Sequence, residues 1–198
     1  MDHTVITVGR EFGSGGRVVA QRVAQALGIP FYDRAVIKMA SEATGFTQDF
    51  IRRTEQTKGS GFLFDLYMDA QNLPVTDQVF LAESKVIQQV AQQGPCVIVG
   101  RCADYVLRGQ EGILSVFLHA PLEQRVLRAE QEYRLEGANV RAQVLKVDKG
   151  RAAYYRHFTD GNWGELANYH LTINSALGLE KAVELVLTLA GKGCAHGE

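Results

Sequence analysis

The sequence predicts an α/β fold built on an open, mostly parallel sheet with helices on both faces. Short apolar runs rich in β-branched residues alternate with longer stretches of helical periodicity, which is the pattern of strands joined by helical crossovers. The runs are apolar throughout, as expected of strands that are buried on both faces. Polar residues gather where the runs end, and ligands of such sheets bind beyond the carboxyl ends of the strands.

The amino-terminal half begins with a strand, a glycine-rich turn and a helix. The strand is predicted at 4–8, the helix at about 18–27, and a second short strand at 29–32. Residues 34 to about 93 contain several helical patterns and no clear strand. This stretch therefore predicts a helical insertion on the sheet.

The carboxyl-terminal half returns to the alternating pattern. Strands are predicted at 96–99, 114–118 and 170–173, and helices at about 122–133, 140–158 and 179–189. A chain of 198 residues is long enough for one domain with a well-buried core and too short for two ordinary ones. We expect a single domain over 1–198, with its core at about 1–33 and 94–190.

Composition and charge exclude several kinds of partner. Lys and Arg number 21 against 22 Asp and Glu, so no net positive field favours a nucleic-acid polymer or an anionic membrane. The amino terminus lacks the features of a signal peptide, and no apolar stretch could span a bilayer, so we expect a cytoplasmic protein. The three cysteines lack metal-ligand spacing and suit reduced, packed thiols. The oligomeric state is left open, and a homo-oligomer is compatible with the sequence.

The strongest local signal is the glycine-rich turn between the first strand and the first helix. Four of the eight residues at 9–16 are glycine, more than an ordinary strand-to-helix turn needs. Glycines let backbone N–H groups point inward without Cβ clashes, and the positive end of the following helix also attracts an anion. A polyphosphate fits such a turn. The predicted phosphate-binding residues are Gly13, Ser14, Gly15, Gly16, Arg17 and Val18.

The turn departs from the standard phosphate-loop pattern G-x-x-x-x-G-K-[ST]. Counted from Gly9, the glycine comes one place late, the lysine is absent, and no Ser or Thr follows. Either Gly16 occupies the lysine position with Val18 at the hydroxyl position, or Arg17 takes over the cationic role. We expect Arg17 to contact phosphate.

Four stretches of the chain resemble the cytidylate kinase-like family, and the resemblance extends over nearly the whole chain. They are ITVGREFGSGGR (6–17), IPFYD (29–33), VIVGR (97–101) and DKGRAAYY (148–155). The resemblance implies a P-loop nucleoside monophosphate kinase fold of three layers. Its parts would be a five-stranded parallel sheet, a phosphate loop, a helical monophosphate-binding insertion at about 34–93 and a lid at about 125–158.

The same resemblance implies an activity. Kinases of this kind transfer the γ-phosphoryl group of ATP, with Mg²⁺, to a nucleoside monophosphate, here CMP or dCMP in the first place. The missing lysine separates the chain from cytidylate kinases proper. Two alternatives therefore stay open: a nucleotide-binding regulatory module without efficient transfer, and a kinase of another small acceptor. Because Val18 cannot coordinate Mg²⁺, the ion would need Ser14, Glu11 or Asp104, directly or through water.

Candidates for binding the acceptor follow the second and third strands. Asp33 and Arg34 stand where such kinases begin their monophosphate site, although Asp33 would serve equally well as a helix N-cap. Arg101 resembles the arginine of the Gly-Arg-Asp motif of cytidylate kinases, which implies a contact to the acceptor phosphate. Asp104 lies two positions beyond the aspartate of that motif and is a further candidate.

A helix with a basic face is predicted beyond the fourth strand. Arg141, Asp148, Arg151 and Tyr155 are spaced by seven, three and four residues, which puts them on one side of a helix. Such a face could close over the transferring phosphates and neutralise their charge, and the alternative is a solvated, ion-paired surface. The remaining lid candidates are Arg125, Arg128 and Lys149. The predicted catalytic residues are Arg17, Arg101, Asp148 and Arg151.

Overall fold

A computed structural model describes residues 5–54, 74–137 and 139–191 of the chain. Five strands form one parallel sheet in the order β2-β3-β1-β4-β5, so the prediction of a five-stranded parallel sheet is confirmed. The strands are β1 (Val5–Arg10), β2 (Phe31–Tyr32), β3 (Cys96–Val99), β4 (Ile113–His119) and β5 (Leu171–Asn174).

Helices connect these strands within the described ranges. They are α1 (Gly16–Leu27), α2 (Arg34–Thr44), α3 (Gln48–Thr54), α4 (Val75–Gln92), α5 (Ala103–Val106), α6 (Leu122–Gln131), α7 (Val140–Thr159) and α8 (Leu179–Leu189). Two 3₁₀ turns, at Leu166–Asn168 and Ser175–Leu177, flank β5. No helix of the described residues is long and apolar enough to cross a membrane.

The two faces of the sheet are covered by different helices, as the apolar pattern predicts. Ile6 and Val8 of β1 pack with side chains of α1 and α8 on one face. Val5 and Ile98 belong to a second cluster, which α2 and α4 supply on the other face. Full burial of such a side chain stabilises the fold by roughly 1.5–3 kcal/mol. The central strand β1 is therefore buried on both faces, and the glycine-rich turn begins at its end.

Several boundaries differ from the predicted ones. Helix α1 begins at Gly16, before the predicted residue 18, because left-handed Gly15 is its N-cap. Strand β2 is limited to two residues, both partly buried, at the edge of the sheet. Helices α2, α3 and α4 lie within the predicted insertion, and 55–73 lie outside the described residues.

The cysteines pack as predicted where the structure describes them. Cys96 and Cys102 are buried, reduced thiols, and Cys194 lies outside the described residues. Burial raises the pKa of Cys96 to about 11, so its thiol stays protonated at neutral pH.

Candidate functional site

The glycine-rich turn joins β1 to α1 at the amino-terminal end of that helix. Gly13 and Gly15 have φ angles of 80° and 78°, in the left-handed region that glycine adopts at little cost. A Cβ atom at Gly13 would collide with the backbone carbonyl of Arg125, and one at Gly15 would lie 2.6 Å from the Leu179 side chain. Both positions therefore favour glycine for their conformation, and Gly13 also for the space around it.

Four carbonyl groups of the turn accept hydrogen bonds from side chains elsewhere in the chain. The donors are Arg125 to the Phe12 carbonyl (3.2 Å), Arg128 to the Gly13 carbonyl (2.8 Å), Arg151 to the Arg10 carbonyl (3.0 Å) and Ser175 to the Ser14 carbonyl (2.6 Å). Among the hydrogen bonds of the described residues, none uses the amide N–H of Gly13 or Gly15. An anion at the helix amino terminus could accept from these two donors.

Arg125 is the centre of the scaffold around the turn. Its side chain is only 7% exposed, donates to the Ala120 carbonyl at 3.0 Å, and forms ion pairs with Glu11 and Asp148. Oδ1 of Asp148 accepts the Phe12 N–H at 2.7 Å. The structure therefore places Arg125 and Asp148, predicted for the lid and for catalysis, against the backbone of the phosphate loop.

Arg17 and Asp33 are brought together, as expected if both belong to one site. Nε of Arg17 donates to Oδ2 of Asp33 at 2.7 Å, and the guanidinium lies 5.9 Å from the centre of the Phe31 ring. Asp33 stands at the N-cap position of α2, which was the predicted alternative, although its side chain makes no capping hydrogen bond. Arg34 is exposed, and the Arg17 side chain is 51% exposed.

A pocket opens beyond the carboxyl ends of β1 and β3, where the parallel sheet predicts a ligand site. Three arginines line it: Arg10, Arg101 and Arg151. The other side chains that line it are those of Cys102, Asp104, Tyr154, Tyr155, Trp163 and Tyr169. The sequence identified Arg101, Asp104, Arg151 and Tyr155, whereas Arg10, Tyr154, Trp163 and Tyr169 were not assigned to a site.

Arg101 is held in the pocket by a buried ion pair. Its partner is Glu83 of α4, whose other carboxylate oxygen accepts the Tyr154 hydroxyl at 3.0 Å. Gly100, Arg101 and Cys102 have φ angles of 77°, 55° and 54°, a left-handed run in which only the first residue is glycine. Strained backbone of this kind occurs at functional sites, where the surroundings hold it in place. The sequence missed Glu83, because a carboxylate in an amphipathic helix usually faces solvent.

Asp104 and Tyr155 form a second polar pair in the pocket. The Tyr155 hydroxyl donates to Oδ2 of Asp104 at 2.7 Å. Burial raises the pKa of Asp104, and the hydrogen bond from Tyr155 lowers it in part. Burial and the neighbouring Asp104 carboxylate raise the pKa of Tyr155, which therefore stays a hydrogen-bond donor. A carboxylate with a raised pKa in a pocket is a candidate proton acceptor.

Helix α7 confirms the predicted helix, but only some of the residues predicted for its basic face lie at the site. Asp148 and Arg151 contact the phosphate loop and Tyr155 is buried in the pocket wall. Arg141 pairs with Glu123 on the surface, and Lys149 is exposed. The solvated, ion-paired alternative therefore applies to Arg141, and Lys149 is solvated.

The predicted metal ligands differ in the hydrogen bonds that they already make within the protein. Ser14 is fully buried, and its hydroxyl donates to the Glu11 carbonyl and accepts the Gly16 N–H. The Glu11 carboxylate accepts the Ala120 N–H, and Asp104 lies in the pocket. The described residues hold no group of three or more His, Cys, Asp or Glu side chains suited to a metal ion. Mg²⁺ in kinases needs only one or two carboxylates beside phosphates and water, and Glu11 or Asp104 could provide one.

The sequence model of the cytidylate kinase-like family matches residues 5–177. The chain therefore belongs to this family. No curated protein matches the chain.

Solved structures of similar fold include kinases of small acceptors. An uncharacterized protein from Eubacterium ventriosum ATCC 27560 has a TM-score of 0.74 at 21% identity, covering 96% of this chain and 98% of its own. A gluconokinase from Sinorhizobium meliloti 1021 has a TM-score of 0.56 at 16% identity, with 96% and 92% covered. A shikimate kinase from Acinetobacter baumannii, in complex with shikimate, has a TM-score of 0.52 at 18% identity, with 96% and 95% covered. These likenesses show the fold, which is that of P-loop kinases.

Proposed function

We propose that this member of the cytidylate kinase-like family transfers the γ-phosphoryl group of ATP to a nucleoside monophosphate, with CMP or dCMP as the first candidates. The proposal rests on a glycine-rich loop and an arginine-lined pocket that lie side by side. The glycine-rich loop offers N–H groups at the start of α1, and the arginine-lined pocket lies beyond the adjacent strands β1 and β3. Donor and acceptor phosphates could meet between them.

The composition of the pocket fits an acceptor that carries a phosphate. Arginine binds phosphate oxygens in pairs through its planar guanidinium, and Arg101 is fixed for this by Glu83. Aromatic rings of Tyr154, Trp163 and Tyr169 line the same pocket and offer apolar surface. Small-molecule nucleotides, rather than a nucleic-acid polymer or a membrane, are the proposed partners.

The proposed catalysis is electrostatic. Phosphoryl transfer passes through a loose transition state, so positioned positive groups contribute more than covalent chemistry does. Loop amides would hold the donor phosphates, while Arg101 and Arg151 would orient the acceptor and stabilise the charge on the transferring group. Mg²⁺ would neutralise phosphate charge when it is bound, and Glu11 or Asp104 would hold it through water.

A second candidate function is a kinase whose acceptor attacks through a hydroxyl group. Asp104 favours it, because a hydroxyl must lose a proton during transfer and a carboxylate with a raised pKa can accept that proton. A phosphate oxygen of a nucleoside monophosphate needs no such help at neutral pH. The shikimate kinase and gluconokinase of similar fold make acceptors of this chemistry reasonable additions to a screen.

The test is formation of ADP from ATP and Mg²⁺ by the purified protein, with CMP, dCMP, UMP, AMP, shikimate and gluconate offered one at a time. We expect a phosphorylated product, seen by ³¹P NMR, with CMP or dCMP and little with the others. Turnover only with a hydroxyl acceptor would select the second candidate. ATP binding without turnover on any acceptor would favour the regulatory module.

The matched control in this assay is Gly13→Val. The change would place a side chain against the Arg125 carbonyl at a left-handed position. If the variant retains the circular dichroism of a folded protein and loses turnover, the activity belongs to this chain rather than to a contaminating kinase.

A further inference from the structure

We propose, resting on the proposed function, that Arg10 supplies the phosphate-facing positive charge that a lysine supplies in a standard phosphate loop. Counted backward from Gly15 and Gly16, the pattern G-x-x-x-x-G-K puts its lysine at position 16 and its first glycine at position 10. Here the two residues are exchanged: glycine stands at the lysine position, and an arginine at the first glycine position.

The exchange is explained by a direct steric contact. A Cβ atom on Gly16 would lie 2.6 Å from Cβ and 3.2 Å from Cγ of Arg10. Both atoms are close to the backbone of a strand in the centre of the sheet, so they cannot move aside. A side chain at either position therefore excludes a side chain at the other.

The Arg10 side chain leads from the loop into the pocket. A Cβ atom on Gly100 would collide with the Arg10 guanidinium, so this group lies over the glycine that follows β3. It lines the pocket together with Arg101 and Arg151. Arg10 thus stands between the loop amides, where the donor phosphates would bind, and the arginines proposed to hold the acceptor.

Arg17, the cation predicted from the sequence, occupies a different place. It pairs with Asp33, and half of its side chain is exposed. Arg10 begins on the sheet, reaches the pocket and carries a fork of donors that can contact two phosphate oxygens. Arg10 and Arg17 are therefore alternative candidates for the cation that contacts the donor phosphates.

The experiment is a double-mutant cycle with Arg10→Gly, Gly16→Lys and the double variant Arg10→Gly/Gly16→Lys, which rebuilds the standard pattern. ATP affinity is measured by calorimetry, and kcat with the best acceptor. We expect each single variant to lose about tenfold or more in kcat/KM, the factor of a charge-assisted hydrogen bond, and the double variant to recover most of it. Arg22→Ala, which removes a surface ion pair with Glu180, is the control and should match wild type.

Thermal unfolding of the same four proteins tests the steric contact without any ligand. Gly16→Lys should lower Tm, and Arg10→Gly in the double variant should relieve that loss.

Two smaller changes, Arg10→Lys and Arg10→Gln, test the charge of Arg10. The neutral variant Arg10→Gln should lose more activity than Arg10→Lys. Purely additive effects across the cycle, in Tm and in kcat/KM, would overturn the proposal, as would full activity of Arg10→Gln beside a large loss in Arg17→Ala. If the wild-type protein does not bind ATP, the proposed function is wrong, and this inference is wrong with it.

Discussion

Arginines lie on both sides of the phosphate loop, and they do different work there. On one side, Arg125 and Arg128 donate to carbonyl groups of the loop and hold its backbone in shape. On the pocket side, Arg10 and Arg101 line the pocket beyond the strands. A basic residue near a phosphate loop is therefore not by itself a phosphate contact. What decides is whether the side chain holds the loop's own carbonyls or lines the pocket.

The largest effect is expected for Arg125→Ala, which should lower the stability of the fold. The change would leave Glu11 and Asp148 as largely buried carboxylates without their shared cation. Removal of one partner of a buried ion pair costs about 3–5 kcal/mol, so the free energy of unfolding in urea should fall by about that amount. The matched change Arg141→Ala removes an exposed ion pair and should cost less than about 1 kcal/mol. Equal losses in the two variants would show that Arg125 does not hold the scaffold.

On the pocket side, Glu83→Gln should act on the acceptor more than on ATP. The amide can still accept the Tyr154 hydroxyl, but Arg101 loses the charge that fixes its orientation. We expect KM for the acceptor to rise by about tenfold, corresponding to roughly 1.4 kcal/mol, with the Kd for ATP unchanged. A parallel loss of ATP affinity would mean that the pair supports the whole site rather than the pocket.

Arg151 contacts both sides, since it donates to the Arg10 carbonyl and lines the pocket. If its charge acts mainly in the transition state, Arg151→Ala should lower kcat by several-fold to about tenfold with little change in the Kd for ATP. Kinetics and calorimetry on one preparation give both values, and exposed Lys146→Ala on the same helix is the control. Unchanged kcat would remove Arg151 from the catalytic residues.

The smallest expected effect concerns pH and Asp104. Because burial raises its pKa, the folded protein holds this proton more tightly than the unfolded chain does. The penalty for the charged form is therefore absent below the ordinary value of 3.8 and develops as the pH rises through the raised pKa. Asp104→Asn should match wild-type stability in acid and exceed it slightly at neutral pH. A stability difference that does not change with pH would contradict the raised pKa.

The sequence predicted the features whose signals are local. The glycine spacing at 9–16 predicted the loop, and the helical spacing of Asp148, Arg151 and Tyr155 predicted a face that the structure places at the site. Arg101 was predicted from its motif and does line the pocket. Whether these residues act as predicted on a nucleotide stays a prediction.

Features that depend on strand order could not be predicted from the sequence. Arg10 crosses to Gly100 because β1 lies next to β3, a neighbour relation that a linear pattern does not contain. Glu83 lies on the apolar stripe of α4, which is a signal of burial in the sequence, but its pairing with Arg101 depends on how α4 packs against this part of the sheet. The direction in which Arg125 donates is likewise set by tertiary contacts.

In the proposed function, the donor phosphates bind at the amides of the glycine-rich loop and face the arginine pocket. A crystal structure of the protein with a non-hydrolysable ATP analogue tests it directly. We expect phosphate density among the backbone N–H groups from Gly13 to Arg17, with the terminal phosphate toward Arg10 and Arg101. Density for the analogue only elsewhere, with this loop empty at a saturating concentration, would contradict the account.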